Sequence, residues 1–312
     1  MYGGHTDPAR VPLPNLSARV SAAVAISPVS ISDGDGDGRS EVLLIAHAQD
    51  AVEGSTLQCL GADGRLRWLF RPPDSLAFGR EDHGPPVRLP WVTVPGDDRG
   101  ARSIWVSAEH GTWFPTWVCR LDASGEVLGR YGSNGRVNKI RFTSARGRQF
   151  ALLGGVNNER KTAAMAVFDV ERFGGAAPAQ TPKYRCHNCT PGQPDHYVVF
   201  PQTDVSHLMG GMPVVAEFAV QPSGEIVVSV QQHSALLPGE DSYSLALTNY
   251  RLDAGFRVHD AEYFAQYVAA HDFYASTGSL DHRFDAGRES AQLWPVLRWN
   301  GLGHDRIERP ER

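Results

Sequence analysis

Residues 40–70 read SEVLLIAHAQDAVEGSTLQCLGADGRLRWLF, and the fold prediction begins from this stretch. It contains an apolar strand, a polar loop, a second strand, a tight turn with the sequence Ala-Asp-Gly, and a third strand. A further strand candidate, SAAVAISPVSI, precedes it from Ser21. Four short strands joined by loops and tight turns predict a four-stranded antiparallel meander.

The same pattern occurs three more times along the chain. The equivalents of SEVLLIAHA are RSIWVSAEH from Arg102, RQFALLGGV from Arg148 and GEIVVSVQQ from Gly224. Each is followed by a hairpin candidate, and the spacing to it is 17 or 18 residues in three copies: Val42 to Leu60, Ile104 to Leu121, and Phe150 to Phe168. The fourth copy, Ile226 to Leu252, is stretched to 26 residues by an insertion. Such constant spacing indicates a true repeat.

A repeated four-stranded meander predicts an all-β fold, specifically a β-propeller. One such unit cannot bury both of its faces alone, so the units stack around an axis as blades. We expect an N-terminal extension at 1–16 and a single propeller domain at 17–312, with four visible blades: 17–75, 84–133, 136–203 and 208–258. The alternative is an all-β sandwich in which the spacing is coincidental.

The C-terminal part of the chain predicts one helix and one strand. The helix is expected at 259–278, capped by Asp260, with one apolar stripe formed by Phe264, Tyr267, Val268, His271 and Tyr274. The strand lies in LWPVLRWNG and is expected at 293–301. We expect this strand to pair with the N-terminal segment and complete a composite fifth blade.

An acidic loop, ISDGDGDGRSE, precedes the apolar strand of the first repeat. Alternating aspartates on a glycine-bent loop converge on one point, and hard cations such as calcium bind several oxygen ligands. We predict a structural calcium ion bound by the backbone carbonyl of Arg39 and by four carboxylates: Asp33, Asp35, Asp37 and Glu41. The loop is not an EF-hand, because its twelfth position is Leu44. The alternative is a solvated acidic turn.

The acidic loop also resembles the calcium loop of FG-GAP/VCBS-type propeller repeats, whose pattern is D-x-D-x-D-G-x-x-[DE] before an apolar strand. The segments LLGGVNNERKTAAMAVFDVERFGG and LDHRFDAGRESAQLWPVLRWNG are similar to parts of uncharacterised bacterial propeller domains of that class. The resemblance implies a propeller fold and a metal site in the first repeat, and it implies no activity. The other three repeats lack the complete acidic pattern.

The motif CHNC places Cys186 and Cys189 in a loop, where three states are open. The thiols can be free, can form a local disulfide, or can bind zinc. One CxxC supplies only half of a zinc site, so zinc would need further ligands from His187, His196 or His207. Cys59 and Cys119, in contrast, lie within predicted strands and are expected to be buried.

Two histidines of the second repeat stand next to glutamates near turns. His83 follows Glu81 closely, and His110 follows Glu109. A Glu–His pair can act as a general acid and base, but histidines that satisfy backbone groups at turns are far more common. The common nucleophile, phosphate-binding and HExxH zinc motifs are absent from the sequence.

Composition limits the class of partner and the location. The formal net charge is −5 and the pI is near 6.2, which argues against nucleic-acid binding. No apolar run is long enough for a transmembrane helix, so no membrane insertion is expected. No secretory signal is visible, so we expect a cytoplasmic protein unless a leader is missing from this chain.

The sequence therefore favours a non-catalytic β-propeller interaction module, stabilised by calcium, with a protein as its partner. The alternative is an enzyme of the glycan lyase or hydrolase type, with its site in the central channel of the propeller. A third possibility is a structural domain of a larger chain. Fold alone does not decide among them.

Overall fold

The computed structural model describes residues 24–33, 38–48, 54–72, 75–84, 87–95, 103–111, 114–235 and 244–310. These residues form a mostly β structure with four large sheets and one small hairpin. The predicted extension at 1–16 lies outside the described residues. None of the helices formed by the described residues is long and apolar enough to span a membrane.

The first two sheets come from the N-terminal half. The first sheet contains β1 (Val24–Ser32), β2 (Glu41–Ala48), β3 (Ser55–Leu60) and β4 (Leu66–Phe70) in chain order. A short hairpin follows, with β5 (Leu76–Phe78) and β6 (Glu81–His83). The second sheet contains β7 (Val87–Thr93), β8 (Ile104–His110), β9 (Thr116–Leu121) and β10 (Val127–Ser133), with β14 (Gly175–Ala176) added parallel to β10.

The third and fourth sheets come from the rest of the chain. The third contains β11 (Val137–Ala145), β12 (Arg148–Asn157), β13 (Thr162–Asp169), β15 (His196–Val199), β20 (Val296–Trp299) and β21 (His304–Ile307). The fourth contains β16 (Val214–Val220), β17 (Ile226–Ala235), β18 (Ser244–Leu252) and β19 (Val258–Tyr263). The three α-helices are α1 (Asp204–Met209), α2 (Ala265–Ser276) and α3 (Ala286–Glu289).

Consecutive sheets pack face to face, with a separate apolar core between each pair. One core joins the first and second sheets, the next joins the second and third, and the last joins the third and fourth. Strand β12 shows how one sheet contributes to two of these cores. Its side chains alternate between faces, so Leu152 belongs to the core with the fourth sheet and Leu153 to the core with the second. The middle sheets are therefore buried on both faces.

The strand that was expected to complete a fifth blade has a different position. Residues of the predicted segment 293–301 form β20, which pairs with β15 through Val198 and Arg298 and extends the third sheet. The reason is the open edge of β15, which offers backbone groups that β20 satisfies. Both neighbours of β20 are thus strands of the third sheet, β15 and β21, so the predicted pairing of this strand with the N-terminal segment is wrong.

The predicted helix at 259–278 begins later than expected. Residues up to Tyr263 continue the fourth sheet, where Tyr263 pairs with Thr248, so Asp260 lies in β19 and caps nothing. Strand pairing has overridden the local capping signal here. Phe264 becomes the N-cap residue and is 39% exposed, whereas Tyr267 is fully buried. The apolar stripe is therefore shorter than the sequence suggested.

The third repeat also departs from the predicted tight hairpin. After β13 the chain forms a 3-10 helix at Val170–Arg172 and a long excursion before it returns as β15. This excursion carries the CHNC motif. Its backbone pairs with the β5–β6 hairpin, because His187 N donates to Ala77 O at 2.9 Å and Gly79 N donates to Arg185 O at 3.1 Å.

Candidate metal centre

Four metal-ligating side chains converge where the three helices meet at the fourth sheet. They are Asp204 at the start of α1, His271 in α2, His282 in the loop after α2, and Glu289 at the end of α3. One ligand atom from each lies within 4.8 Å of the others. The four residues could hold a metal ion.

Local hydrogen bonds explain why α1 presents Asp204 at this point. The helix begins after Thr203, whose backbone nitrogen donates to Ser206 Oγ at 2.9 Å, and it ends at Gly210 with a φ of 62°. The backbone nitrogen of Asp204 donates to Gln292 Oε1 at 2.8 Å. Gln292 thereby ties the start of α1 to the segment after α3.

The loop that carries His282 is hydrogen-bonded to α2, and its last residue caps the start of α3. Phe284 N donates to Asp272 Oδ1 at 2.9 Å, which returns the chain to α2. Asp285 then caps α3, because its Oδ1 accepts from Arg288 N at 2.8 Å. These bonds place His282 and Glu289 on the same side of the loop.

Glu289 is a carboxylate in a wholly buried position. Gln292 Nε2 donates to its Oε2 at 2.6 Å, and His282 Nε2 lies 2.6 Å from its Oε1. The other ring nitrogen of His282, Nδ1, lies 2.5 Å from Asp281 Oδ1. Hydrogen bonds to Asp281 and Glu289 raise the pKa of His282. A metal ion at this point would displace a proton from the imidazole.

His271 is the residue that distinguishes this cluster from an ordinary network. It is wholly buried, and neither ring nitrogen has a hydrogen-bond partner among the residues that the structure describes. Its Nε2 lies 3.7 Å from Glu289 Oε1, and its ring centroid lies 5.0 Å from that of His282. Burial lowers the pKa of His271, so the neutral ring keeps a free lone pair. Buried polar groups normally have partners.

The atom types fit a transition metal, whereas the distances are those of a hydrogen-bonded cluster that would have to adjust around an ion. Four ligands around tetrahedral zinc at ~2.1 Å are separated by about 3.4 Å, and His282 Nε2 lies 2.6 Å from Glu289 Oε1 and 3.9 Å from Asp204 Oδ2. Two imidazoles with two carboxylates suit zinc and similar ions. Calcium prefers six to eight oxygens, so it fits this centre poorly.

The predicted calcium loop is only partly described. Asp35 and Asp37 lie outside the described residues, and the backbone nitrogen of Gly38 donates to Asp33 Oδ2 at 3.2 Å. Glu41 is buried, and its Oε1 lies 3.0 Å from Arg67 Nη1. This guanidinium competes for the carboxylate that was assigned to calcium. The calcium site, with Arg39 as carbonyl ligand, stays a prediction.

Cys186 and Cys189 are bonded to each other in the structure. Their Cα atoms lie 5.7 Å apart and the sulfurs form a disulfide, so they are not available as zinc ligands in this state. The sulfurs pack against the core between the first and second sheets. Cys59 and Cys119 are buried as predicted, and burial raises the pKa of the Cys119 thiol to about 12.

The two Glu–His pairs have separate environments. Glu109 is buried and its Oε2 accepts from Arg136 Nε at 3.1 Å, so it serves an ion pair. His83 Nε2 lies 3.8 Å from Glu81 Oε2. Burial and, after it, the nearby His110 lower the pKa of His83.

Glu81 and His83 line a cleft of about 420 Å³, and so do two residues of α1, Ser206 and His207. The cleft therefore adjoins the helix whose first residue is a candidate metal ligand.

The sequence alone does not indicate this candidate metal centre. Its ligands are dispersed from Asp204 to Glu289 and have no recognisable spacing. The helical spacing places His271 in an apolar stripe, which agrees with its burial, but this spacing does not indicate that its ring nitrogens have no hydrogen-bond partner among the described residues. The only local signal is the richness of the segment DHRFDAGRE in ligand-type residues, and tertiary contacts alone bring Asp204 to it.

Comparisons with known proteins give distant matches. No family model matches the chain, and no curated protein matches it. Among solved structures, a GH43 β-1,3-galactosidase has 10% identity and a TM-score of 0.34 over 72% of this chain and 43% of its own. An exo-β-1,3-galactanase from Clostridium thermocellum has 10% identity and a TM-score of 0.36 over 76% of this chain and 48% of its own.

A member of the DUF4221 family from Bacteroides vulgatus has 11% identity and a TM-score of 0.29 over 78% of this chain and 86% of its own. This chain thus spans less than half the length of the galactosidase and of the galactanase. At such TM-scores the likenesses carry no argument about activity.

Proposed function

We propose that the chain is a propeller-type binding module whose C-terminal segment is fixed by one divalent transition-metal ion. The face-to-face stacking of four successive sheets supports the propeller arrangement. The observation that supports the metal is His271, a wholly buried imidazole beside a buried carboxylate, with no hydrogen-bond partner for either ring nitrogen among the described residues.

A structural role for the metal is favoured by the number of ligands. Structural zinc sites are closed and four-coordinate, whereas catalytic sites keep one position open. His271 and Glu289 are wholly buried, and the side chains of His282 and Asp204 are 14% and 35% exposed. The ion would join α1, α2, α3 and the loop between the last two, and would hold them against the fourth sheet.

Metal content and stability test this proposal. The purified protein is reconstituted with zinc, dialysed, and analysed by mass spectrometry for metal, in wild type, His271→Ala, Glu289→Gln and the control His259→Ala. His259 lies on β19 and contacts Glu225 at 3.3 Å, away from the cluster. We expect about one zinc per chain in wild type and control, and loss of zinc from the two cluster variants.

Two further measurements guard against misfolded variants. Asp204→Asn changes the most exposed ligand, so it should fold and still bind zinc more weakly than wild type. Cobalt in place of zinc should give the visible absorption of a four-coordinate ion. Zinc-free wild type after reconstitution, or equal zinc in all variants, would show that the cluster is only a hydrogen-bonded network.

A second candidate function is hydrolysis in the cleft, and the neighbouring Glu81 and His83 favour it. The lowered pKa of His83 keeps it neutral and able to accept a proton at neutral pH. A panel of nitrophenyl glycosides, esters and phosphates tests it. Turnover that disappears in Glu81→Gln but persists in His271→Ala would place an activity in the cleft, separate from the metal.

A further inference from the structure

The cleft beside α1 has features of a ligand site that the metal centre does not explain. Its volume of about 420 Å³ lies in the usual range for small-molecule pockets. Its walls come from the β5–β6 hairpin, the loop after β10, the β12–β13 turn, the 3-10 helix at Pro182–Tyr184 and α1. Loops held by a rigid scaffold are where binding residues concentrate.

Two lysines and one carboxylate are among the described residues that line this cleft. The chain has three lysines and a net charge of −5, yet two of those lysines, Lys161 and Lys183, line the cleft. Among the described residues that line it, Glu81 is the one carboxylate. The described lining thus has one more cationic than anionic side chain, although the chain as a whole is acidic.

Lys161 is held in a strained conformation with its ammonium unused. Its φ is 55°, a region that residues other than glycine rarely adopt. Its carbonyl oxygen accepts from Gln202 Nε2 at 2.9 Å, which helps to fix this turn. No described residue forms an ion pair with its ammonium group, whereas Lys139 lies 3.7 Å from Glu217.

Asn134 supplies a second donor that has no partner among the described residues. Its Oδ1 accepts from the backbone nitrogen of Asn158 at 3.3 Å, which fixes the orientation of the amide. Its Nδ2 is buried and has no hydrogen-bond partner among the described residues, although Asn134 lines the cleft. A buried donor of this kind requires an acceptor oxygen.

The remaining walls fit a small molecule with one polar and one flat surface. Phe78 and Tyr184 contribute aromatic rings, while Asn158 and Gln202 contribute amides. Amides hydrogen-bond hydroxyl groups, and aromatic rings pack against carbon surfaces.

We propose that the cleft binds a small molecule that bears a carboxylate or phosphate group, with Lys161 and Asn134 donating to its anionic oxygens. The inference rests on the cleft alone and does not require the metal centre. Lys161 provides the charge, and Asn134 provides a directed hydrogen bond from the buried wall.

Isothermal titration at low salt tests the proposal with probes matched in size. Glucuronate is compared with glucose, glycerol 3-phosphate with glycerol, and inorganic phosphate serves as the bare anion. The variants are Lys161→Gln and Asn134→Asp, which keeps the size and the acceptor but replaces the donor with a charge. The control is Lys139→Gln, which removes a lysine outside the cleft.

We expect one of the anionic probes to bind and its neutral partner to bind at least tenfold more weakly. Because hydrogen bonds to charged groups are worth about 1.5–3 kcal/mol, Lys161→Gln should raise the Kd about tenfold or more, and Asn134→Asp should abolish binding. Lys139→Gln should match wild type. If inorganic phosphate binds and is affected by the variants in the same way, the group recognised is a phosphate. If glucuronate alone binds, the group recognised is a carboxylate.

Three results would overturn the proposal. The first is equal affinity for an anion and its neutral partner. The second is equal loss of affinity in Lys139→Gln and Lys161→Gln, which would indicate binding to the whole surface. The third is absence of binding by every probe up to about 10 mM, which is weaker than a specific small-ligand site. Each is independent of the zinc content of the protein.

Discussion

The indole nitrogen Nε1 of Trp68 donates to the carbonyl oxygen of Ala123 at 2.8 Å. Trp68 lies in β4 of the first sheet, and Ala123 lies in the β9–β10 turn of the second sheet. The same turn contains Gly125, with a φ of 84°, and an added Cβ there would lie 2.7 Å from Trp68 Cδ2. The two sheets are therefore joined at this turn by a hydrogen bond and by close packing.

Gly125→Ala should destabilise the protein by about 2–4 kcal/mol, because it combines backbone strain with overpacking against Trp68. Gly147→Ala is the matched control. Gly147 has a φ of 74° with open space around it, so only the backbone strain applies. Urea unfolding measures both. Equal losses of stability in the two variants would show that the contact with Trp68 is unimportant. Conversely, adding Trp68→Ala to Gly125→Ala should remove the part of the loss that comes from overpacking.

Replacing both Cys186 and Cys189 with serine should lower the melting temperature by no more than about 4–8 °C. A disulfide that closes so short a loop stabilises by about 2 kcal/mol in the chain-entropy model, and a chain of this size loses about 2–4 °C per kcal/mol. Gly132→Ala should be worse, because its Cβ would lie 2.3 Å from Cys189 Sγ. Differential scanning calorimetry compares them, and loss of folding in the double serine variant would contradict the prediction.

Stability should decrease as the pH falls below about 6.5, partly through His196. Burial and then Arg298 lower the pKa of His196, and Arg298 Nη2 lies 2.6 Å from its Nδ1. The unfolded chain therefore binds the proton more readily, so stability is fully present above the unfolded pKa and is lost as pH falls toward the folded one.

His196→Gln keeps an acceptor for Arg298 but cannot be protonated. We expect the melting temperature of this variant to fall less than that of wild type when the pH is lowered from 7.5 to 5.5. The corresponding difference in the free energy of unfolding should be at most about 1.4 kcal/mol per pH unit. Identical pH profiles would remove His196 from the explanation. The remaining dependence would come from other histidines with lowered pKa values: His83, His233, His271 and His304.

Two aromatic residues of one helical segment should differ strongly on truncation. Tyr267→Ala should cost about 3–5 kcal/mol, because the ring is wholly buried between α2 and the fourth sheet. Phe264→Ala should cost less than about 1 kcal/mol, because this ring is 39% exposed. Chemical unfolding measures the loss of stability in both variants. A larger loss at Phe264 than at Tyr267 would support the longer apolar stripe that was predicted from the sequence.

The acidic loop keeps its own test. If calcium binds there, it should raise the melting temperature. At a calcium concentration a hundredfold above Kd, the free energy of unfolding should increase by about 2.7 kcal/mol. Asp35→Ala should abolish the shift, while Asp204→Asn should leave it unchanged. A calcium shift that survives in Asp35→Ala would mean that the aspartates form a solvated turn.

Much of the pairing register between strands could be predicted from the sequence, because the number of residues between two positions in a hairpin is linked to which residues face each other across it. Three of the four spaced pairs are direct partners across neighbouring strands: Val42 with Leu60, Ile104 with Leu121, and Ile226 with Leu252. The fourth is displaced by one residue, since Phe168 pairs with Ala151.

The C-terminal arrangement and the candidate site could not be predicted in this way. No local pattern indicates that Arg298 pairs with Val198, because the choice depends on which sheet edge is open after the rest has folded. Asp204 meets Glu289 only through packing of helices from different parts of the chain. Lys161 and Asn134 likewise share a cleft because two turns meet.

The pairing of β15 with β20 also orders events on the ribosome. The entire fourth sheet and all three helices are synthesised after β15 and before its partner. Until Trp299 has emerged, β15 presents an edge with unsatisfied backbone groups, which is a template for wrong pairing with other chains. A nascent chain arrested shortly before β20 should therefore recruit holding chaperones, and release of the last strands should end that interaction.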